Sequence, residues 1–323
     1  MGPPLQLVVA FGGIWTLLTC AWALHCIVSR QYLTPLHAAM TLVAVLANVD
    51  MASHVAAKTT PLVASCMAGV HALFLSSMLV VIMLVANGYA ITVASLRKRD
   101  WARIILYASV SGFLRWWRCV ADAFPWMLLE MTVQLMVLLY VMRATTMNMH
   151  FALFLMALLR REGVLHDVPL VYPHYNLFRN CRVVLSVFFT SYILVCAWTF
   201  TVLEHVPHVF FVAEQVIFLA LAIYFGTVLR PVPKYGFIDV TQQMQLNFPQ
   251  FFRVYSRLLQ NMDVADLLSE DEVRPIVGDR APPPHAVVVI ENPPSRTDQG
   301  NLVPNIGVGI KRKSDASSDI QSM

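Results

Sequence analysis

Ionisable and amide side chains lie within otherwise apolar stretches of this sequence, and their types and spacing could form a binding site. They are Asp50, His54, His71, Glu130, Gln134 and Glu214, the last followed by Gln215. A lone charge near the centre of a bilayer costs about 2.5–3.5 kcal/mol on insertion scales, so such groups should face a bundle interior, pair, or meet water. Asp50 and His54 are four residues apart, as are Glu130 and Gln134, so each pair shares one helix face.

We expect these polar side chains to line a water-accessible cavity that opens to the lumen and holds a lipid head group or a cation. In each apolar segment they lie in the half that faces outward, whereas the inner half is nearly free of polar groups. The alternative is that they form hydrogen bonds between helices and bind no ligand. Replacing Asp50 or Glu214 with an apolar residue separates the two, because unchanged lipid or ion binding would end the cavity interpretation.

Motifs for catalysis are missing from the sequence. It contains no His-Glu-x-x-His, no Gly-x-Ser-x-Gly and no phosphate-binding glycine-rich loop. The last apolar segment has no lysine that could form a retinal Schiff base, and the receptor triplet Asp/Glu-Arg-Tyr is replaced by Asn87-Gly88-Tyr89-Ala90. We therefore expect a protein that is not an enzyme and that has no cofactor and no metal site.

The composition is typical of a membrane protein. Apolar residues make up 58% of the chain and charged residues 13%, with a mean hydropathy of +0.62. Most lysines and arginines flank the apolar segments, as membrane topology requires, so the net charge of +4 does not indicate nucleic-acid binding. We expect an all-α membrane protein with membrane lipids as partners and no nucleic acid.

Seven apolar segments predict a seven-transmembrane helix bundle. A hydrocarbon core of about 30 Å needs about 20 apolar residues in a helix. The predicted spans cover residues 5–28, 33–57, 61 to the basic cluster at 97–103, 101–117, 125–141, 183–203 and 206–229. We expect the first span to be retained, since no basic segment precedes it and no clean cleavage site follows it. A further apolar run at 145–160 is either an extension of the fifth span or a helix at the membrane interface.

The basic cluster after the third span sets the orientation. Arg97, Lys98, Arg99 and Arg103 should stay in the cytosol, which places the amino end of the chain outside or in the lumen and the carboxyl end in the cytosol. The fourth span is short, since only residues 104–114 are free of charge. We keep it because omitting it would place five later arginines outside. We expect Arg115 and Arg118 to snorkel outward beside Trp116 and Trp117.

The composition changes after Lys234 and divides the chain into three parts. Residues 1–234 form the bundle, residues 235–269 a cytosolic and possibly amphipathic segment, and residues 270–323 a disordered tail. Tyr255 and Leu258 have the spacing of a tyrosine sorting signal, and Asp263, Leu267 and Leu268 that of an acidic dileucine signal, both of which would bind coat adaptor proteins. The alternative is that these residues form the apolar face of the amphipathic segment.

One pair of cysteines is a candidate disulfide. Cys66 lies near the outer end of the third span and Cys119 in the outer loop between the fourth and fifth spans. A disulfide can persist in an oxidising lumen. The other cysteines fall within spans or near the cytosolic edge, where they are more typical of small buried side chains.

Short motifs in a fixed order resemble those of the lung seven-transmembrane receptor family, whose members are Golgi-dynamics-domain seven-helix proteins. The motifs are Gly12-Gly-Ile-Trp15, Asn87-Gly88-Tyr89-Ala-Ile with a basic stretch after it, Asn176-Leu177-Phe178-Arg179, Glu214 at the start of the seventh span and Leu229-Arg230-Pro231 at its end. The resemblance covers residues 5–272. The family's Gly-Tyr-Gly is Gly-Tyr-Ala here, and Asn180 replaces a histidine. The family's luminal domain is not within this sequence, so we expect either that the sequence starts late or that this member lacks the domain.

The resemblance implies a Golgi or endosomal multi-pass membrane protein that acts in membrane trafficking or cargo sorting, with membrane cargo as a possible partner and the plasma membrane as another possible location. Some relatives are similar to candidate receptors or cation-conducting proteins, and the helical core resembles that of the Wnt-carrier family. Cation conduction or lipid handling is therefore the second expectation, and a signalling receptor the third.

Overall fold

The computed structural model describes residues 3–30, 33–57, 61–92, 96–121, 124–161, 168–201, 207–230, 286–291 and 307–312. Seven helices occupy most of these residues. They are α1 (Leu5–Val28), α2 (Pro35–Ala56), α3 (Pro61–Ala86), α4 (Lys98–Ala121), α5 (Phe124–Arg161), α6 (Val168–Thr201) and α7 (Pro207–Val228). Two short strands, β1 (Ala286–Glu291) and β2 (Gly307–Arg312), follow them.

Six of the seven helices are long and apolar enough to cross a membrane, which confirms the prediction of a multi-pass, all-α membrane protein. The exception among the described helices is α4. It has the length of a span but carries several arginines, so its composition alone does not mark it as one.

The chain divides into two compact units, and the first consists of Met1–Asn87, Leu96–Ala144 and Asn180–Pro231. Within this unit α3 packs against α2 and α4, and α1 packs against α2 and α7. In the most apolar part of α3, 67% of the residues are buried, compared with 22% in α1. Among the six apolar helices, α3 is therefore the most enclosed one.

A close approach between α3 and α4 is made possible by small side chains. A Cβ atom at Gly112 would collide with the Ser76 hydroxyl and would crowd the Ala72 carbonyl. The Ser76 hydroxyl donates a hydrogen bond of 3.0 Å to the carbonyl of Ala108. Small residues are typical of helix contacts inside membranes, because they let two backbones approach closely.

The opposite face of α4 is apolar and uncovered. Ile105, Leu106 and Phe113 are all more than half exposed. In a membrane protein, such large apolar side chains on one face of a packed helix are suited to contact with lipid. α4 therefore has small and polar side chains on its inner face and large apolar side chains on its outer face.

The third helix ends earlier than predicted. It ends at Ala86 instead of continuing to the basic cluster, and residues 87–92 form turns. Gly88 has a φ of 71° and Ala90 a φ of 57°. A glycine with positive φ commonly terminates a helix, since it lacks the Cβ that makes this conformation costly.

The later helices are longer than the predicted spans. α5 continues without a break from Phe124 to Arg161, so the apolar run at 145–160 is an extension of the fifth span. α6 begins at Val168, well before residue 183, and contains Pro173. The prediction started α6 late because Arg179 and Arg182 interrupt its apolar run, but arginine is a good helix former and does not end a helix.

The second compact unit consists of Gly88–Ser95, Thr145–Arg179 and Val232–Met323. In it, β1 and β2 pair antiparallel, with Ala286 opposite Arg312. For the rest of residues 270–323 the predicted disorder stays a prediction. The run Val287–Ile290 is β-branched throughout, which favours a strand. The sorting-signal residues Tyr255, Leu258, Asp263, Leu267 and Leu268 lie outside the described residues.

Candidate functional site

Charged side chains from five helices of the first unit meet in a buried group that we call the ionic cluster. Its members are Asp50 from α2, His71 from α3, Arg115 and Arg118 from α4, Glu130 from α5 and Glu214 from α7, with His54 of α2 at its edge. Five of the six residues predicted to share a site therefore meet in this cluster, directly or through an arginine. The sixth, Gln134, lies beside it.

The α2–α3 end of the cluster is built around Asp50, which is 0% exposed. One oxygen of its carboxylate, Oδ2, lies 3.0 Å from Nδ1 of His71. The other oxygen, Oδ1, lies 3.9 Å from Nε2 of His54, one helical turn further along α2. Asp50 and His54 thus share a helix face, as their spacing predicted, and both point toward α3.

The centre of the cluster is the pair formed by Arg115 and Glu214. Nη2 of Arg115 donates to Oε1 of Glu214 at 2.5 Å, and both residues are at most 3% exposed. Nε2 of His71 lies 3.6 Å from the second oxygen of Glu214 and 3.2 Å from Nη2 of Arg115. The imidazole of His71 therefore stands between the carboxylates of Asp50 and Glu214.

The α5 end of the cluster is Glu130, which is also fully enclosed. Its Oε2 lies 2.9 Å from Nη1 of Arg118, and its Oε1 lies 3.6 Å from Nη1 of Arg115. The hydroxyl of Tyr192 donates to Oε1 over 3.3 Å. Both guanidinium groups also face the ring of Phe210, at 5.4 and 5.9 Å from its centroid, which is within the range of a cation–π interaction.

The prediction that Arg115 snorkels outward is wrong. Its side chain is buried and pairs with Glu214 and Glu130. In a medium of low dielectric, two enclosed carboxylates attract a guanidinium far more strongly than they would in water. Arg118 also turns toward Glu130, and its side chain is 18% exposed.

The spacing of residues along α4 indicates that Arg115 is on the buried face of the helix. The buried residues Ile104, Ala108, Ser111 and Arg115 follow one another at intervals of three and four along α4. Side chains at this spacing share a helix face. That pattern places Arg115 on the inner face, whereas the neighbouring tryptophans suggested an interfacial position.

The two glutamines make neutral contacts. Nε2 of Gln134 donates to the hydroxyl of Ser111 at 2.7 Å, so Gln134 lies beside the ionic cluster and ties α5 to α4. Oε1 of Gln215 accepts a hydrogen bond of 2.9 Å from the indole of Trp15. For these two side chains the interpretation as hydrogen bonds between helices fits the geometry.

A narrow, mostly apolar crevice lies next to Gln134. Its lining consists of Leu75, Met78, Leu79, Ile82, Gln134, Phe188, Tyr192 and Phe218. Tyr192 links the crevice to Glu130 of the ionic cluster. The predicted opening of a polar cavity to the lumen is not tested by these contacts and stays a prediction.

The charge balance of the cluster depends on His71. Arg115 pairs with Glu214, and Arg118 pairs with Glu130. Asp50 is then the third carboxylate against two guanidinium groups, and its described ion-pair contacts are His71 and His54. An imidazolium at His71 makes the cluster neutral, whereas a neutral imidazole leaves one excess negative charge at the α2–α3 end.

Three potential metal ligands converge at that end. Donor atoms of Asp50, His54 and His71 all lie within 4.8 Å of one another. No metal site was predicted, because the sequence shows no metal-ligand motif and His71 comes from a different helix. The tertiary structure brings the third ligand to the other two.

The candidate disulfide is only partly covered by the structure. Cys66 is an exposed free thiol, and the side chain of Cys119 lies outside the described ones. The pairing stays a prediction. Cys181 and Cys196 are buried, as predicted for small side chains within spans, whereas Cys20 is exposed and Cys26 is half-buried, so for Cys20 the prediction is wrong.

Comparison with protein families, with curated proteins and with solved structures finds no match to this chain.

Proposed function

We propose that this protein binds small cations at the ionic cluster inside its helix bundle and passes them across the membrane. The observation that carries this proposal is the fully buried carboxylate of Asp50, which has histidines and no arginine as its described ion-pair contacts. Ionisable residues inside membrane spans are rare and commonly mark ion pathways.

The energetic argument starts from the cost of burial. Removing an ion from water costs several kcal/mol even in real proteins, and only good pairing offsets this cost. Glu214 and Glu130 each have an arginine partner, but Asp50 has only histidines. A bound cation that replaces the proton of His71 would supply the positive charge that Asp50 needs.

A purely structural role is the competing interpretation. Buried ion pairs can cross-link helices without binding any ligand. This accounts well for the Arg115–Glu214 and Arg118–Glu130 pairs, which are neutral overall. For Asp50 it requires that His71 carries a proton, because Asp50 has no arginine partner among its described ion-pair contacts.

The proposal includes the topology predicted from the sequence, with seven crossings, the amino end outside and the carboxyl end in the cytosol. Arg115 belongs to the ionic cluster and lies well inside α4. If the cluster is within the membrane, α4 is within it as well. The exposed apolar face of α4 supports this placement.

The test is cation flux into liposomes that contain the purified full chain. Liposomes would be assayed for uptake of K⁺, Na⁺ and a divalent cation such as Mn²⁺, with empty liposomes as the baseline. We expect uptake of at least one of these ions, and a loss of about tenfold or more in Asp50→Asn, which keeps the shape of the side chain but removes the charge.

Asp100→Asn is the matched control. Asp100 is also a largely buried carboxylate, but it pairs with Arg97 and Arg103 at the start of α4. It is separated from Arg115 by about four helical turns. Flux equal to that of empty liposomes, or equal losses in the two variants, would reject the proposal.

Trafficking or cargo sorting in a Golgi or endosomal membrane is the second candidate function. It is supported by the resemblance to the lung seven-transmembrane receptor family and by the two sorting-signal patterns in the tail, at Tyr255–Leu258 and Asp263–Leu268. Membrane lipids, coat adaptor proteins and membrane cargo are the partners it implies. A signalling receptor is the third candidate, and it is supported by the resemblance alone.

A further inference from the structure

We propose that Asp50, His54 and His71 form a binding site for a divalent transition-metal ion of the Zn²⁺ class. This inference rests on the proposed function, since it identifies the kind of cation that the ionic cluster binds. It is carried by the convergence of two imidazoles and one carboxylate from α2 and α3 within 4.8 Å.

The distances are close to those of a bound site. Zn²⁺ lies about 2.0–2.2 Å from nitrogen and oxygen ligands, so tetrahedral ligands are about 3.3 Å apart. Oδ1 of Asp50 is 3.9 Å from Nε2 of His54, and Oδ2 is 3.0 Å from Nδ1 of His71. Side-chain adjustments are therefore enough to close the site, without a movement of either helix.

The ligand types select the class of metal. Ca²⁺ and Mg²⁺ prefer sites made of oxygen atoms, whereas imidazole nitrogen suits Zn²⁺ and its transition-metal neighbours. Two histidines and one carboxylate also leave at least one coordination position open. An open position lets an ion enter and leave, which a closed structural site would not allow.

Asp50 provides a second observation that points to a ligand. Its Oδ1 is buried and has no hydrogen-bond partner among the residues that the structure describes. Leaving a buried acceptor without a partner is destabilising, and more so when the group is charged. A metal ion between Asp50 and His54 would satisfy this oxygen.

In this site Glu214 acts as a positioning residue, which fixes the orientation of the His71 ring. When Nδ1 of a histidine binds a metal, its Nε2–H is typically held by a carboxylate, which fixes the ring. Oε2 of Glu214 lies 3.6 Å from Nε2 of His71. Arg115, the nearest positive charge, pairs with the other oxygen of Glu214, and its repulsion of a metal ion is reduced by that pairing.

Access to the site runs past His54. Its side chain is 13% exposed, whereas that of Asp50 is 0% exposed. The edge of the ionic cluster at His54 is therefore less enclosed than its centre, although Nε2 of His54 is itself buried. An ion that enters here needs a movement of the His54 side chain, but not the opening of the Arg115–Glu214 pair.

The experiment is metal binding to the purified full chain in detergent after treatment with a chelator. Zn²⁺ would be titrated by calorimetry, and Co²⁺ would be used as a spectroscopic probe of the ligand geometry. We expect one Zn²⁺ per chain and a visible Co²⁺ spectrum of low coordination number. Asp50→Asn and His54→Asn should each weaken binding about tenfold or more.

His54→Asn is the safer variant, because His54 is partly exposed and its loss should leave the fold intact. His25→Asn on α1 is the matched control and should bind as the parent chain does. Absence of Zn²⁺ binding by the parent chain, or equal affinities of the His54 and His25 variants, would overturn the proposal.

The outcomes also separate this inference from the proposed function. Flux of a monovalent cation without any Zn²⁺ binding would overturn the metal site and leave cation passage standing. Zn²⁺ binding that depends on Asp50 and His54, together with no flux of any cation, would support the site and overturn transport.

Discussion

Arg115 links most members of the ionic cluster, since it lies against Glu214, Glu130 and His71 at once. The positive charge of Arg115 is stabilised by these buried partners and not by water. Removing it leaves enclosed carboxylates without a counter-ion, which is among the most costly changes that a single substitution can make.

We expect Arg115→Met to lower the free energy of unfolding by about 3–5 kcal/mol, because Glu214 loses its arginine and Glu130 loses one of two. Thermal unfolding of the purified protein in detergent is the measurement. Arg118→Met is the control and should cost less than half as much, since Arg118 is partly exposed and Glu130 keeps Arg115 and Tyr192. Equal losses would show that Arg115 is not the centre of the cluster.

Other polar side chains serve the fold alone. Nε2 of His37 lies 2.8 Å from the carbonyl of Leu229, just after the end of α7, and its ring stacks on Trp22. Helix carbonyls near a carboxyl terminus lack partners within the helix, so an outside donor is needed there. His37 was not singled out from the sequence, and its contacts are those of a structural histidine.

At the scale of the elements, α4 decides the topology of the whole chain. It is the one described helix that fails the test of length and apolarity, yet it packs on α3 and contributes both arginines of the ionic cluster. Pairing lowers the cost of these arginines in a bilayer, which a hydropathy average does not register. The arginines of α4 are compatible with a membrane span because their carboxylate partners lie on α5 and α7.

If α4 crosses the membrane, the number of crossings is odd and the two ends of the chain lie on opposite sides. We expect an epitope tag at the carboxyl end to be digested by protease in intact cytosol-side-out vesicles, while a tag at the amino end is protected. Detergent treatment is the control and should expose both tags. Identical behaviour of the two tags in sealed vesicles would indicate six crossings and exclude α4 from the membrane.

At the scale of the whole molecule, the first compact unit carries the ionic cluster and the tail carries the sorting-signal patterns. Transport and sorting are thus proposed for different parts of the chain. The two functions are compatible, because a protein that moves ions must also reach the correct membrane. Substitutions in the sorting-signal patterns leave the residues of the ionic cluster unchanged, and the reverse is also true.

We expect a combined Tyr255→Ala and Leu267→Ala/Leu268→Ala variant to leave Golgi or endosomal membranes and to show a severalfold larger fraction at the cell surface. Adaptor binding requires the Tyr and Leu side chains, which fill pockets in the partner. Fluorescence microscopy and surface biotinylation are the measurements, with Leu302→Ala as a tail control. An unchanged distribution would favour the alternative, in which these residues are the apolar face of a membrane-bound segment.

The sequence by itself determined the positions of most helices. α1 matches its predicted span, Leu5–Val28, and α7 differs from its own by one residue at each end. These boundaries are readable because the length and apolarity of a span are properties of consecutive residues. For the same reason the polar residues within the spans stood out, including Asp50 and Glu214.

Only the tertiary structure decided which of these residues meet. Arg115 was placed outside by its neighbours in sequence, and it is inside because Glu214 and Glu130 lie opposite it on α7 and α5. His71 became a third potential metal ligand only when α3 packed against α2. Pairing between helices depends on how their faces are rotated toward one another, and no local pattern within one helix contains that information.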